Sequence, residues 1–351
     1  MSSAIDQLAR QLGSDWPHLR EARRLSIEVR DSLKAVLSGK DSADTSIVVS
    51  GSLARDEFTS GSDIDWTLLI DGSSDPRHYD YSTEIGRVIS EIARKPTGRE
   101  GTFSTLVFSH DLIHDIGGES DTNRNTTRRL LLLLESRCVG RQEAYQRVVR
   151  NILSRYLLED RGFWKETSNR VPRFLQNDFA RYWRTLAVDF AYKLRARDRK
   201  GWAIRNLKLR MSRKLIYVSG LLSCYRCHFE VPREEWMGLI DDQERQQKVI
   251  GKFEAFFRET PLEIVASMLL NRPELVDPAR TLFHSYDQFL GILSDQDQRD
   301  HLERLDEEDA EEDPAYQAAR RISHEFRDSV LAIFFNSESV FAPLTRVYGV
   351  F

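Results

Sequence analysis

The 351-residue sequence predicts an α+β fold, a small mixed sheet followed by a mostly α-helical domain. Two short runs that contain β-branched and other apolar residues are bounded by turn-forming residues and are typical of strands. They are Ser46–Ser50 and Asp63–Asp71. Residues 76–95 place apolar side chains at helical spacing, which predicts a crossover helix before a third strand in residues 103–113. After Thr127 the apolar spacing is helical almost throughout. The sheet therefore belongs to the first third of the chain.

The remaining elements follow from the same periodicities and from proline positions. Residues 4–38 are predicted to be helical, with Pro17 near a break. Eight further helices are expected, over residues 127–138, 142–158, 174–198, 203–224, 242–258, 262–270, 274–294 and 315–336. These elements predict four segments: an N-terminal helical segment (1–38), a sheet-containing core (39–126), a helical domain (127–340) and an apolar tail (341–351).

Composition is that of an ordinary soluble globular protein, because 40% of the residues are hydrophobic and 30% are charged. The apolar run Leu130–Leu134 is far shorter than the stretch needed to span a bilayer, so no membrane partner is expected. The first residues lack the basic flank and apolar stretch of a secretory signal. Together with only three cysteines, these features predict a cytoplasmic protein with reduced thiols.

The segment from Ser50 to Trp66 contains the residues most suggestive of catalysis. Asp63 and Asp65 are two apart on a predicted strand, so their carboxylates point to the same side. Carboxylate oxygens are the ligands that Mg²⁺ prefers. Upstream, Gly51 and Ser52 form a turn whose backbone N–H groups suit a triphosphate. A metal site and a phosphate cradle at this separation predict nucleotidyl transfer, in which metal ions stabilise both the attacking and the leaving oxygen.

This segment resembles the signature of the polymerase-β-like nucleotidyltransferase superfamily: Gly-Ser, a spacer of about ten residues, then acid–apolar–acid–apolar. Leu133–Gly140, and more weakly Asn206–Lys208, resemble parts of the bacterial PII-uridylyltransferase. The chain has no room for that enzyme's phosphohydrolase and regulatory domains, so PII is not implied as the acceptor. The resemblance implies two Mg²⁺ ions, with Mn²⁺ as a substitute, and an NTP or dNTP substrate such as ATP. It also implies that Arg55 and Ser62 assist Gly51 and Ser52 in binding the triphosphate.

A third metal-binding carboxylate is expected near the end of the third strand, and four acidic residues qualify. They are Asp111, Asp115, Glu119 and Asp121. Asp121 is favoured because it lies in a polar run after the Gly117–Gly118 turn. The alternative is that Asp121 stabilises the start of the helix that follows.

A basic stretch from Arg181 to Lys214 has twelve Lys or Arg residues against two Asp. Such an excess suits a polyanion, and a nucleic-acid oligomer is one predicted partner. Arg205 and Lys208 are three residues apart and share a helix face, so both are candidate triphosphate ligands. A solvated helix surface is the alternative interpretation.

The tail, Phe341–Phe351, is apolar to its end, which predicts that it docks rather than frays. Tyr348 is placed as the acceptor tyrosine is in bacterial anti-phage nucleotidyltransferases of the Hailong type, which build deoxyadenylate oligomers on their own C-terminal tail. That resemblance implies antiviral defence, a nucleotide oligomer product and a partner effector protein. Packing against the helical domain is the alternative.

The sequence therefore predicts a Mg²⁺-dependent nucleotidyltransferase that transfers NMP or dNMP to a hydroxyl and releases pyrophosphate. One hypothesis is synthesis of a nucleotide oligomer primed on Tyr348. A second is uridylylation or AMPylation of a separate protein or small molecule. A third is an inactive nucleotide-binding scaffold, which the intact Gly-Ser and Asp-x-Asp motifs disfavour.

Overall fold

The computed structural model describes residues 2–92, 106–165, 167–196, 201–233 and 242–349. The chain divides into two compact units. One, which we call the sheet unit, comprises Ala22–Arg161 and Trp236–Thr260. The other, the helical unit, comprises Met1–Glu21, Gly162–Glu235 and Pro261–Phe351.

The sheet unit is built on a four-stranded sheet with the order β3-β2-β1-β4. Its strands are β1 (Thr45–Ser50), β2 (Asp65–Ile70), β3 (Leu106–Phe108) and β4 (Ser136–Cys138). Strand β1 is antiparallel to β2 and β4, and β2 is parallel to β3, so the sheet is mixed as predicted. Ser50 pairs with Asp65 on one side and Ser136 on the other. The end of β1 and the starts of β2 and β4 thus share one edge, which we call the site edge.

Helices cover both faces of this sheet because its central strands are apolar at successive positions. On one face, Val49 and Trp66 belong to the same buried cluster as Leu33 of α2 (Pro17–Leu37) and Ile85 of α3 (Arg77–Ile92). Next to the other face lie the short helix α4 (Ser109–Ile113) and α5 (Asn123–Leu134). Helices α6 (Gln142–Glu159) and α10 (Asp242–Phe256) complete the sheet unit and share the Arg150–Glu254 ion pair at 2.7 Å.

The helical unit contains no strand in its described residues, and its apolar helix faces pack on one another. Trp16, for example, stacks on Phe283 with ring centroids 4.8 Å apart. Its longer helices are α1 (Ala4–Leu12), α7 (Arg173–Ala196), α8 (Trp202–Lys208), α9 (Lys214–Glu230), α11 (Pro261–Leu269), α12 (Val276–Ser294), α13 (Gln296–Arg304), α14 (Glu307–Glu312) and α15 (Pro314–Phe335). A π-helical turn, Leu209–Arg213, joins α8 to α9, and the short α16 (Ala342–Leu344) leads into a second, Thr345–Gly349.

Two element predictions are wrong. Residues 109–113, predicted to extend the third strand, form α4, and residues 136–138, predicted as the end of a helix, form β4. Pairing with β1 gives β4 its conformation, and three residues without a distinctive periodicity cannot reveal so distant a partner. Residues 93–95, 103–105 and 197–198, which were predicted as parts of elements, lie outside the described residues. No described helix has both the length and the apolar character required to cross a membrane.

Candidate active site

A tight turn leads out of β1 at Gly51. Gly51 has φ +69°, the left-handed region that glycine adopts without steric cost. Its carbonyl accepts hydrogen bonds from the N–H groups of Ala54 and Arg55, each at 3.1 Å. A Cβ atom at Gly51 would lie 3.0 Å from Asp65 Oδ2. Both the backbone conformation and the approach of this carboxylate therefore require glycine.

The turn presents unused hydrogen-bond donors next to that carboxylate. Ser52 accepts a hydrogen bond from the Glu57 N–H through its carbonyl, at 2.9 Å. Among the described residues, no hydrogen bond uses the Ser52 hydroxyl or the N–H groups of Ser52 and Leu53. Successive free backbone N–H groups in a turn attract anions. The geometry at Gly51 and Ser52 therefore suits a phosphate group.

The two aspartates differ in their surroundings. Asp65 begins β2 and is half-buried, whereas Asp63 precedes the strand and is exposed. Ser62 holds the loop just before them, because its Oγ accepts from the Thr59 N–H at 3.1 Å. Mg²⁺ is usually bound by one or two carboxylates together with water and substrate phosphates. The carboxylates of Asp63 and Asp65, together with a phosphate bound at the adjacent turn, would supply the oxygen ligands that this ion prefers.

Arg55 lies beneath the turn in a buried cluster of charges. Its guanidinium is 6% exposed and pairs with Glu57 at 2.8 Å and with Glu135. Glu135 directly precedes β4, so this contact connects the turn to the site edge across 80 positions of sequence. Sequence reasoning missed both glutamates, although Glu135 lies within the Leu133–Gly140 segment. The burial of Arg55 supports a positioning role rather than direct contact with a triphosphate.

A second ion pair, which is partly buried, holds the far end of the turn. Asp56 has φ +63°, a left-handed conformation that is strained for a residue other than glycine. Its carboxylate pairs with Arg30 of α2 at 2.6 Å, and Arg30 also donates to the Leu53 carbonyl at 2.5 Å. Such strain persists only where the surrounding contacts maintain it. The contacts of Arg30 and Arg55 therefore maintain the backbone conformation of the turn.

The carboxylate of Asp121, the favoured third metal ligand, forms an ion pair with an arginine. Its side chain is 2% exposed and pairs with buried Arg129 at 2.8 Å, and it also accepts from the Gly117 N–H at 3.1 Å. The helix begins instead with Thr122 as its N-cap, whose Oγ1 accepts from the Asn125 N–H. These contacts favour a structural role, in which Asp121 anchors the loop to α5.

The other three acidic candidates are less enclosed. Asp111 is about half exposed, Glu119 is exposed, and Asp115 accepts a hydrogen bond from Asn125 at 3.4 Å. Within the described ranges, no group of three or more His, Cys, Asp or Glu residues is arranged to hold a metal ion. The third carboxylate therefore stays a prediction.

One arginine not singled out from the sequence lies beside the sheet. Arg128 of α5 lines a cavity of about 30 Å³ together with Ser50 and Thr67. Burial, and then the positive charge of Arg124, lower the pKa of Arg128 to about 10, while Asp111 acts in the opposite direction. Arg128 therefore places a cation beside the face of the sheet that carries Ser50. The sequence has no pattern that distinguishes Arg128 from the other arginines of this helix.

The remaining predicted site residues belong to the helical unit. Arg205 and Lys208 are on α8, and both are half-buried. Tyr348 lies in the π-helical turn Thr345–Gly349, where its hydroxyl accepts from Asn169 Nδ2 at 3.2 Å and its carbonyl from Gln176 Nε2 at 2.6 Å. The tail is thus docked on its own unit.

Comparison with known protein families gives a match in the first third of the chain. Residues 29–97 match the family described as "Nucleotidyltransferase domain", a range that contains the turn, Asp63, Asp65 and strands β1 and β2. The chain therefore carries a nucleotidyltransferase domain of the polymerase-β-like superfamily, an enzyme domain for NMP transfer whose family typically uses divalent metal ions. No curated protein and no solved structure matches the chain.

Proposed function

We propose that the site edge binds a (d)NTP with Mg²⁺ and transfers its nucleotidyl group to a hydroxyl, releasing pyrophosphate. The observation that carries the proposal is the approach of Asp65 Oδ2 to Gly51, at 3.0 Å from the position of a Cβ atom. It joins a carboxylate that suits Mg²⁺ to a turn that suits phosphate. In this proposal Asp63 and Asp65 are the metal ligands.

The residues of the turn would act mainly by placing the triphosphate. The free N–H groups and hydroxyl at Ser52 would donate to phosphate oxygens, where donors fixed in advance stabilise the charge that develops on the leaving group. Arg55 holds those donors in place through a buried ion pair, and Arg30 does so through a partly buried one. Bound Mg²⁺ would supply Lewis-acid stabilisation of the attacking and leaving oxygens. Arg205 and Lys208 are proposed as further cations for the triphosphate.

Tyr348 is our proposed acceptor, with a nucleotide oligomer as product and anti-phage defence as its purpose. This follows the Hailong resemblance and the presence of a phenol near the C-terminus. In the docked tail the phenol bonds to Asn169, so it must leave that contact before it attacks a nucleotide. Uridylylation or AMPylation of a separate molecule is the second candidate, since the site edge encodes the reaction and not the acceptor.

A transfer assay tests these proposals. The protein is incubated with Mg²⁺ and each α-labelled NTP or dNTP in turn, and products are separated on protein and nucleotide gels. We expect label transfer from one nucleotide that EDTA abolishes. A ladder lost in Tyr348→Phe but retained in Tyr79→Phe, a matched control whose side chain is 73% exposed, identifies Tyr348 as the primer.

Three other outcomes are informative. A ladder that persists in Tyr348→Phe eliminates Tyr348 as the primer. Label that appears only on an added protein or small molecule favours the second candidate. Absence of any transfer across all eight nucleotides contradicts the proposed activity.

A further inference from the structure

Helix α7 of the helical unit has an exposed face that combines arginines with apolar and aromatic side chains. Val188 and Tyr192 are each 70% exposed and Phe174 is 48% exposed. Arg184 and Arg195 are exposed on the same helix, as is Arg173 at its start. The opposite side is packed, since Phe179 is fully buried against Gly220 of α9.

These side chains form two parallel lines along the helix. At about 100° per residue, Arg184 and Arg195 lie about 20° and 40° around the axis from Arg173. By the same arithmetic, Val188 lies at about 60°, and Phe174 and Tyr192 lie at about 100°. The arginine line spans about 33 Å, at 1.5 Å per residue. We call this pair of lines the α7 track.

The α7 track carries three exposed arginines, Arg173, Arg184 and Arg195. Of the two acidic residues on α7, Asp178 is buried and pairs with Arg181 at 2.8 Å, and Asp189 is half-buried. Among the described residues, neither Arg184 nor Arg195 forms an ion pair. Arg184 and Arg195 are therefore exposed cations with no carboxylate partner among the described residues.

The two lines match the two sides of a single nucleic-acid strand. Phosphates are neutralised by arginines, and unpaired bases stack on aromatic side chains, as in general binders of single strands. A duplex hides its bases and would leave the apolar line without a partner. A protein partner would need carboxylates repeated every three helical turns.

We propose that the α7 track binds a single-stranded oligonucleotide, with phosphates along the arginine line and bases on Tyr192 and its apolar neighbours. The choice of ligand rests on the proposed function, for which such a strand is the product or the acceptor. The track thereby specifies which face of the basic 181–214 region contacts the oligomer.

The test measures binding without catalysis. A fluorescein-labelled 12-nucleotide strand of mixed sequence is titrated with the protein, without Mg²⁺ or nucleotide, at salt concentrations from 50 to 200 mM. The variant R184A/Y192A/R195A is compared with R304A/R321A/F335A, a control that removes two exposed arginines and a 47%-exposed aromatic from other helices. Each phosphate contact contributes about −0.7 to the slope of log K against log salt for single strands.

The track variant should bind at least about ten-fold more weakly, because it loses a stacking contact and two phosphate contacts. Its salt slope should be shallower by about 1.4. The control variant should match the wild-type protein, and a duplex of the same sequence should bind more weakly than the single strand.

Three results would overturn the proposal. They are an unchanged affinity and slope in the track variant, equal binding of the duplex, and a change of oligomeric state in the track variant with strand binding intact. The last would mean that this face contacts a second copy of the chain.

Failure of the proposed function looks different. The variant D63N/D65N should still bind the strand as tightly as wild type, since the track needs no catalysis. Absence of nucleotide transfer by wild-type protein, with strand binding lost only in the track variant, would refute the transferase proposal and leave the track standing.

Discussion

Replacing Gly51 by alanine adds one methyl group where the turn meets Asp65. The new Cβ would be 3.0 Å from Oδ2, closer than ordinary van der Waals contact, so the carboxylate or the turn must shift by a few tenths of an ångström. The left-handed backbone at φ +69° adds about 1–2 kcal/mol of strain for a residue with a side chain. Gly39→Ala is the matched control, because Gly39 has φ +78° but no atom within 4 Å of an added Cβ.

The two variants should therefore lose similar stability and differ in activity. We expect the free energy of unfolding of both variants, measured by urea denaturation, to fall by about 1–2 kcal/mol. Because a misplacement of 1 Å can cost about 100-fold in rate, Gly51→Ala should lower kcat/KM for nucleotidyl transfer by about ten-fold or more. Gly39→Ala should leave it within two-fold. Near-normal activity in Gly51→Ala, or an equal loss in Gly39→Ala, would refute the assignment of the turn.

Three further predictions concern the buried groups of the sheet unit. Arg55→Met should destabilise the protein by about 3–5 kcal/mol in urea unfolding, because it removes the cation that pairs with buried Glu57 and Glu135. The variant R55M/E57Q/E135Q should recover most of that loss, and equal stability of the single and triple variants would contradict the ion-pair account. Burial raises the pKa of Cys138 to about 12, so its thiol should resist a thiol reagent at pH 8. The contribution of the protonated thiol to stability should be complete below about pH 9 and should fall as pH rises towards 12. Rapid labelling of folded protein would show the buried position of Cys138 to be wrong. Asp121→Asn should lower the melting temperature without raising the Mg²⁺ concentration for half-maximal activity, whereas a raised Mg²⁺ requirement would restore Asp121 as a metal ligand.

The sequence predicts the parts of this protein whose signals are local. The mixed sheet and the helical region follow from periodicity, and β1 and β2 appear close to their predicted positions. The glycine turn and Asp65 are also recognisable, because a left-handed turn and a strand end each leave a pattern over a few residues. Their mutual approach across the Ser50–Asp65 pair then follows from the antiparallel register.

The features that sequence reasoning missed depend on partners far apart in the chain. Strand β4 exists through its pairing with β1, about 90 positions earlier, and its own three residues carry no distinctive periodicity. The same holds for Arg55, whose two buried carboxylate partners include Glu135, 80 positions later in the chain. A motif shows that an arginine follows the turn, but only the fold shows that it is buried beneath it.

The most direct test of the account is pyrophosphate release with Mg²⁺ and the preferred nucleotide, compared among wild type, Asp65→Asn and Asp31→Asn. Asp31 is a surface aspartate on α2 with a side chain 62% exposed, so it controls for loss of one charge. Wild type and Asp31→Asn should release pyrophosphate at similar rates. Asp65→Asn should be reduced at least about 100-fold while it remains folded, as judged by circular dichroism. Release by Asp65→Asn at the wild-type rate would contradict the assignment of the site edge as the catalytic centre.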